Sequence, residues 1–146
     1  MVDCDEILVP VDGSESADRA AVFAGRLGAV AGVPLKLAYV VPLTIDAVMA
    51  LVKMTPEQIR MAHDDQARAV LARAQAALAA SGCAAAGSTL VLVGDAAQEL
   101  LSYLETHPRT LVVMGRRGMS SIRGLVLGSV SEKVARHAHV PVTLVH

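Results

Sequence analysis

Ile7-Leu8-Val9-Pro10-Val11-Asp12-Gly13-Ser14 joins a short apolar run to a polar turn near the beginning of the chain. Such a run, ended by Asp-Gly-Ser, is typical of a strand that is buried on both faces of a parallel sheet. Ser14 or Ser16 can cap a following helix, and Gly32 is expected to end it. Spacings of three and four define the predicted inward face of this helix: Ala20, Phe23 or Ala24, Leu27, and Val30 or Ala31.

Strand and helix patterns alternate through the rest of the chain. Apolar and β-branched runs predict four further strands, at 35–41, 89–93, 111–114 and 140–145. Because helical patterns separate these strands, the chain is predicted to form a parallel sheet with helices on both faces. We therefore expect a single α/β domain over residues 1–146, with an open five-stranded parallel sheet.

Helix start signals separate the predicted strands. Thr55 with Pro56 and Gln58 forms a capping-box pattern, and the Ala-rich helix that follows is predicted to extend to about residue 81. Asp95 is predicted to cap a helix that ends before 107–108, and the last helix is predicted at 129–137. The segment 42–54 is apolar enough for a short helix or a flap, either over a pocket or against a protein partner.

The last predicted strand has the features of a sheet edge. Pro141 lacks an N–H group and cannot donate to a strand ladder, so a strand that contains it is expected at an edge. An apolar edge strand invites pairing with a second copy of the chain. We therefore predict a homodimer formed through 140–145.

Composition excludes several classes of protein. Hydrophobic residues make up 53% and charged residues 18%, which excludes a disordered chain. The net charge of −1 gives no overall electrostatic attraction to nucleic acid or to a membrane surface. With no Trp, two Tyr and one Phe, the chain also lacks the aromatic side chains on which the bases of single-stranded nucleic acid stack. No apolar run approaches the roughly 20 residues that span a bilayer, and the acidic start of the chain lacks a signal-peptide pattern. Two cysteines without a C-x-x-C pair favour a reduced, cytoplasmic protein.

Glycines and serines cluster after the fourth predicted strand. Gly115-Arg116-Arg117-Gly118 follows that strand, and Gly128-Ser129-Val130-Ser131 opens the last helix. Ligands of open α/β sheets bind at the carboxyl ends of strands, and the N–H groups at a helix N-terminus favour phosphate. The two serine hydroxyls can add donors, and Arg116, Arg117 and Arg123 supply positive charge. From these residues alone, a phosphate site and a plain glycine-rich connection with solvated arginines are equal alternatives.

Other nucleotide and metal signatures do not fit the chain. It contains no G-x-x-x-x-G-K-[ST] motif of a P-loop, and no G-x-G-x-x-G follows the first strand. The five histidines show no metal-ligand spacing that carboxylates support. These absences leave the segment 115–131 as the informative one.

The spacing Gly115-x2-Gly118-x9-Gly128-Ser129 matches the G-2x-G-9x-G-(S/T) nucleotide-binding motif of the universal stress protein family. The resemblance covers essentially the whole chain, including the opening run 7–14, Gly94-Asp95 and the closing 139–142. It implies a Rossmann-like fold with sheet order 3-2-1-4-5, and a dimer formed through the last strand. Members that keep the glycine motif typically bind ATP.

The resemblance also implies roles for individual residues. Pro10, Val11 and Asp12 are expected to line the adenosine pocket, with the Asp12 carboxylate accepting a hydrogen bond from ribose or adenine. Val40 is expected to contact adenine. The ribose and phosphates are expected to be bordered by Met114, Gly115, Arg117 and Gly118. Backbone N–H and hydroxyl groups are expected to hold the phosphates at Gly128, Ser129, Val130 and Ser131.

These expectations combine into one leading hypothesis and two alternatives. The leading hypothesis is a homodimeric stress-response sensor or regulator that binds ATP, with AMP or a cyclic nucleotide as other candidate ligands and Mg²⁺ or Mn²⁺ accompanying the phosphates. One alternative is a slow Mg²⁺-dependent ATPase or nucleotide hydrolase. The other is a dimeric protein-interaction module with a vestigial pocket. No residue is predicted as catalytic or as a metal ligand.

Overall fold

Ten helices and strands make up the described part of the chain, which covers residues 3–119 and 127–146 of this computed structural model. The strands are β1 (Glu6–Pro10), β2 (Leu35–Pro42), β3 (Ser88–Gly94), β4 (Thr110–Gly115) and β5 (Val142–Val145). The helices are α1 (Glu15–Ala31), α2 (Ile45–Leu51), α3 (Pro56–Ala80), α4 (Ala96–Glu105) and α5 (Ser129–His137).

The five strands form one parallel sheet with the order β3-β2-β1-β4-β5, which confirms the predicted fold class. Strand order reverses beside β1, which pairs with β2 on one side and β4 on the other. The connection after β1 leads to α1 on one face of the sheet, and the connection after β4 leads to α5 on the other face. Because the two loops leave neighbouring strands in opposite directions, a crevice opens between them. The crevice lies at the carboxyl end of β1, where the apolar run 7–11 meets the Asp-Gly-Ser turn.

Two apolar clusters cover the two faces of the sheet. On one face, α1 and α3 pack over side chains that include Ile7, Val9 and Leu37. On the other face, α4 and α5 pack over side chains that include Leu8 and Val112. Alternate residues of β1 therefore enter opposite clusters, as the double burial inferred from its sequence requires.

The inward face of α1 differs from the prediction. Ala20 and Leu27 pack toward the core as expected, and of the pair Phe23 or Ala24 it is Ala24 that is buried while Phe23 is 44% exposed. The expectation of Val30 or Ala31 is wrong, because Val30 is 89% exposed and Ala31 is exposed too. The buried face is instead made of small residues, which let the helix approach its neighbours closely. At Gly28, for example, an added Cβ would lie 2.7 Å from the carbonyl oxygen of Val33. Side-chain size, rather than hydrophobicity, selects the face that packs.

The predicted helix ends are mostly observed. Ser14, rather than Ser16, caps α1 by accepting from Ala17 N–H, and Gly32 ends it in the left-handed conformation. Thr55 and Gln58 form the complete capping box of α3. Asp95 caps α4 by accepting from Gln98 N–H.

The last strand begins later than predicted. Residues 140 and 141 precede β5, so the expectation of Pro141 inside the strand is wrong. Proline cannot donate, but its carbonyl oxygen accepts from Val112 N–H at 2.9 Å and starts the pairing with β4. The edge position of the strand is nevertheless observed.

The segment 42–54 contains the short helix α2. Thr44 caps it. Five large apolar residues of the segment are exposed: Leu43, Ile45, Val48, Met49 and Val52. Among the described helices, none is long and apolar enough to cross a membrane.

A polar network lies at the amino end of the sheet, far from the crevice. Glu6 accepts hydrogen bonds from Tyr103 at 2.8 Å and from Thr110 at 3.1 Å, and pairs with Lys36 at 2.7 Å. Burial opposes ionisation of Glu6, but the hydrogen bonds from Lys36, Tyr103 and Thr110 together outweigh it and hold its pKa below the ordinary value. The hydrogen bond to Glu6 raises the pKa of Lys36.

Candidate functional site

A cavity of about 420 Å³ opens at the carboxyl ends of β1, β2 and β4, in the crevice where strand order reverses. Its volume lies within the range of small-molecule sites, which is roughly 300–1,000 Å³. The structure places all twelve residues that were predicted for a nucleotide site on its wall: Pro10, Val11, Asp12, Val40, Met114, Gly115, Arg117, Gly118, Gly128, Ser129, Val130 and Ser131.

The Asp12 carboxylate joins two of the loops that form the cavity. One oxygen, Oδ1, accepts from Ser14 N–H at 2.9 Å, which closes the turn after β1. The other, Oδ2, accepts from Met119 N–H at 3.1 Å, which holds the loop after β4. Carboxylate oxygens have further lone pairs, so Asp12 can still accept from a ligand hydroxyl. Its observed role is to position the glycine loop.

The space in which a side chain of residue 118 would lie is occupied by the Asp12 carboxylate, which Gly118 approaches closely. A Cβ added at Gly118 would lie 2.6 Å from Oδ2 of Asp12. The close approach that glycine permits is what brings the loop within hydrogen-bond reach of the carboxylate.

Gly115 permits a second close approach, between β4 and α1. A Cβ added there would lie 2.5 Å from Ser16 Oγ and 2.8 Å from the Ser16 carbonyl carbon. The Ser16 hydroxyl accepts from Arg117 N–H at the long distance of 3.5 Å. The start of α1 therefore packs directly on the first half of the glycine motif.

The N-terminus of α5 faces the cavity without a side-chain cap. Its N-cap is Gly128, whereas Ser14, Thr44, Thr55 and Asp95 cap the other four helices of the described chain through their side chains. Gly128 N–H donates to the Arg116 carbonyl at 2.8 Å, which fixes the start of the helix beside the loop. Backbone donors and the positive end of the helix dipole at this position favour an anion.

The two serines of α5 have different environments. Ser131 is buried, and its hydroxyl donates to the Gly115 carbonyl at 2.7 Å. Its proton therefore ties the two halves of the motif together, and its oxygen can serve a ligand only as an acceptor in this arrangement. Ser129 is exposed at the first position of the helix, where its hydroxyl is free to reach a phosphate.

Arg117 brings positive charge to the cavity. Its Nε is buried and makes no hydrogen bond within residues 3–119 and 127–146. A buried donor without a partner is costly, and an anion in the cavity is a partner of the right charge. Arg123, whose charge was expected to contribute, lies outside the described residues.

The opposite wall of the cavity is apolar and extends beyond the predicted residues. Ala38 and Val40 come from β2, and Ala96 and Leu100 come from α4. An apolar wall facing a polar anion site suits a flat base linked to phosphates. The small size of Ala38 and the spacing of four on α4 were visible in the sequence, but nothing in a single sequence indicated that α4 reaches β2.

Tyr39 also lines the cavity and was not predicted. Burial raises the pKa of its hydroxyl, and the negative charge of Asp12 acts in the same direction while a hydrogen bond with Gln66 opposes both. The hydroxyl therefore stays protonated and available for hydrogen bonding near neutral pH. Alternation along β2 places Tyr39 on the α1 side of the sheet, opposite Val40.

The described residues do not converge on a metal. No group of three or more His, Cys, Asp or Glu side chains in 3–119 and 127–146 is placed to hold an ion. No described residue of 42–54 lines the cavity, so a lid formed by α2 finds no support in its wall.

Comparison with known proteins decides the family. The sequence profile of the universal stress protein family matches residues 4–146. This chain belongs to the universal stress protein family. Universal stress protein YxiE of Bacillus subtilis is 27% identical over 147 residues, which cover 97% of this chain and 98% of YxiE. Universal stress protein Rv1996 of Mycobacterium tuberculosis is 32% identical across 95% of this chain, but the chain spans only 47% of that longer protein.

Two solved universal stress proteins resemble the structure throughout. Universal stress protein UspA from Lactobacillus plantarum has a TM-score of 0.77 at 25% identity, with 97% of each chain covered. A universal stress protein crystallised in complex with cAMP has a TM-score of 0.68 at 29% identity, again with 97% of each chain covered. The fold of this chain thus agrees with that of solved universal stress proteins, the family that the sequence profile identifies.

Proposed function

We propose that this universal stress protein binds an adenine nucleotide, with ATP as its principal ligand, in the cavity at the carboxyl edge of the sheet. The observation that carries the proposal is the convergence of all twelve predicted site residues on one cavity, whose volume lies within the range of small-molecule sites. The relative in complex with cAMP, 29% identical, supports an adenine nucleotide as the ligand class.

The chemistry of the two walls supports a defined orientation. The base lies against the apolar wall, where Ala38, Val40 and Leu100 exclude water from its faces. The phosphates lie at the N-terminus of α5, where Gly128 leaves the helix without a side-chain cap. Asp12 lies between them, and its carboxylate accepts from the ribose hydroxyls. Mg²⁺ or Mn²⁺ then binds through phosphate oxygens, since the described side chains form no metal cluster.

We further propose a regulatory or sensing role rather than rapid catalysis. Among the described residues of the cavity wall, Asp12 supplies the carboxylate, and each of its oxygens already accepts a backbone N–H. A carboxylate held in this way is a poor candidate for moving protons during hydrolysis. A nucleotide that contacts both loops and stabilises one arrangement of them fits a sensor better.

A homodimer through the C-terminal edge strand completes the proposal. All four residues of β5 remain partly exposed at the edge of the sheet. The Pro141 carbonyl accepts from Val112 of β4, and the Val145 carbonyl accepts from Arg116 just after it. By alternation, the backbone groups of Val142 and Leu144 face the open edge. A second copy can satisfy these groups.

The proposed ligand is tested by calorimetric titration of ATP, AMP, cAMP and GTP into the purified protein. We expect the adenine nucleotides to bind and ATP to bind more tightly than GTP. The matched variants are Ser129→Ala in the anion site and Ser88→Ala on β3, away from the cavity. Unchanged ATP affinity in Ser129→Ala, together with equal affinity for GTP, contradicts the assignment.

A further inference from the structure

A second cavity of about 360 Å³ adjoins the nucleotide cavity on the α1 side of the sheet. Arg19 of α1, Arg73 of α3 and Arg117 of the loop after β4 line it. Arg117, Gly118 and Met119 line both cavities, so a single stretch of loop separates them. We refer to this cavity, defined by its three arginines, as the arginine groove.

Arg19 of α1 and Arg73 of α3 are each held by hydrogen bonds and still have N–H donors that these bonds do not use. Arg19 donates to Glu15 and to the His146 carbonyl, each at 2.9 Å. Arg73 makes a forked contact with Asp18, with Nε and Nη2 both 2.8 Å from Oδ2. Each pairing uses two of the five N–H donors of a guanidinium. The remaining edges can bind an oxyanion without breaking these contacts.

The residues that line the groove carry three positive charges and one negative charge, that of Glu15. Glu15 and the neighbouring Asp18 are each paired with one of the arginines, and Asp12, whose charge also acts on Arg73, accepts two backbone N–H groups. Arg117 is the third cation, and its buried Nε makes no hydrogen bond within the described chain. Three arginines from three separate elements therefore line one space, and planar guanidinium donors match the oxygens of a phosphate group.

We propose that the arginine groove binds a phosphate group beside the nucleotide. The proposal rests on the proposed nucleotide site for the identity of the ligand next to the groove. The groove itself is a separate site, because Arg19 and Arg73 do not line the nucleotide cavity. The phosphate is either the distal phosphate of a bound polyphosphate nucleotide or a separate inorganic phosphate. Arg117, which touches both cavities, links occupancy of one site to the other.

The test uses Arg19→Gln and Arg73→Gln, with Arg68→Gln as the matched control. Arg68 lies on α3, one to two turns before Arg73. Its side chain is 77% exposed and does not line the groove. Affinities for AMP and ATP are measured by calorimetry, and binding of inorganic phosphate to the free and AMP-saturated protein is measured by phosphorus NMR. Thermal unfolding verifies that every variant is folded.

Two results support the proposal and identify the source of the phosphate. If the groove holds the distal phosphate, the ratio of ATP to AMP affinity falls about fivefold or more in both groove variants, while AMP affinity stays the same. If it holds a separate phosphate, that ratio is unchanged and inorganic phosphate binding is lost. Arg68→Gln behaves as wild type in either case.

The opposite result is distinct from failure of the nucleotide site. The groove proposal is overturned if both groove variants keep the wild-type ratio of ATP to AMP affinity and also bind inorganic phosphate as the wild type does. This holds even when AMP binds normally. If the wild-type protein binds no nucleotide, the nucleotide proposal fails, and the binding of inorganic phosphate then tests the groove by itself. Phosphate binding by the wild-type protein that both groove variants lose supports the groove. Any other result overturns it.

Discussion

The Asp12 carboxylate accepts a hydrogen bond from Met119 N–H at 3.1 Å, although 107 positions separate the two residues. This bond connects the turn after β1 to the loop after β4 across the point where strand order reverses. The two loops that meet the proposed nucleotide are thus positioned by one side chain.

Asp12→Ala is expected to weaken ATP binding more than Asp12→Asn does. Alanine removes both acceptors, whereas asparagine retains one oxygen for either the loop or the ribose. We expect a loss of about 1–2 kcal/mol of binding free energy for alanine and a smaller loss for asparagine. Calorimetric titration measures both, and equal wild-type affinity in the two variants contradicts the positioning role.

Gly115→Ala is expected to destabilise the protein because the new methyl group meets backbone. Its Cβ would lie 2.8 Å from the Ser16 carbonyl carbon, which cannot move without shifting α1. We expect a decrease of about 1–3 kcal/mol in the free energy of unfolding, measured by urea denaturation. Gly87→Ala is the control, since its Cβ would meet only an ordinary contact at 3.6 Å. Equal stability of the two variants contradicts this packing.

Ser131→Ala and Ser129→Ala are expected to separate stability from binding. Loss of the buried Ser131 bond to the Gly115 carbonyl removes about 1 kcal/mol of unfolding free energy. Ser129 is exposed, so its replacement leaves stability unchanged and lowers ATP affinity. Denaturation and titration are performed on both variants. A destabilised Ser129→Ala, or a fully stable Ser131→Ala, shows that the roles are assigned wrongly.

The Glu6 network is expected to make stability depend on acid pH. The pKa of Glu6 is below the ordinary value in the folded protein, so the unfolded chain binds the proton more tightly. This stabilisation is present above the ordinary glutamate pKa and is lost as pH falls through the lower folded pKa. Melting temperatures are measured between about pH 5 and pH 3. Glu6→Gln is expected to flatten the decrease, and an identical pH profile in both proteins rules out this contribution.

Thr143→Lys on β5 is expected to convert the proposed dimer to a folded monomer. A lysine on an edge strand opposes pairing with another copy through repulsion between like charges. The control is Thr89→Lys on β3, the strand at the opposite edge of the sheet. Light scattering gives the oligomeric state. A monomeric wild type, or dissociation by Thr89→Lys alone, contradicts an interface at β5.

Sequence patterns predicted the strands and the caps because these depend on local chemistry, whereas the order of the strands in the sheet was implied by the family resemblance. The double burial of β1 follows from an unbroken apolar run, and the capping box of α3 follows from Thr55 and Gln58. The inward face of α1 was mispredicted at its last position, Val30 or Ala31, because the end of the helix packs through Gly28 instead.

The candidate site was predicted in two parts: its glycines and serines through the motif, and Pro10, Val11, Asp12, Val40 and Met114 through the family resemblance. The glycines and serines have a fixed spacing, so a single sequence is enough to find them. Tyr39, Ala96 and Leu100 were missed because their place on the wall depends on which helix covers which strand. The bond between Ser131 and the Gly115 carbonyl was missed for the same reason, since it depends on three-dimensional contact rather than on spacing.

The most direct test of nucleotide binding is to denature freshly purified protein and identify the released nucleotide by chromatography and mass spectrometry. We predict that adenine nucleotide is recovered, with ATP predominant and close to one per chain. An empty extract, followed by no binding when ATP and Mg²⁺ are added, contradicts the assignment of this cavity.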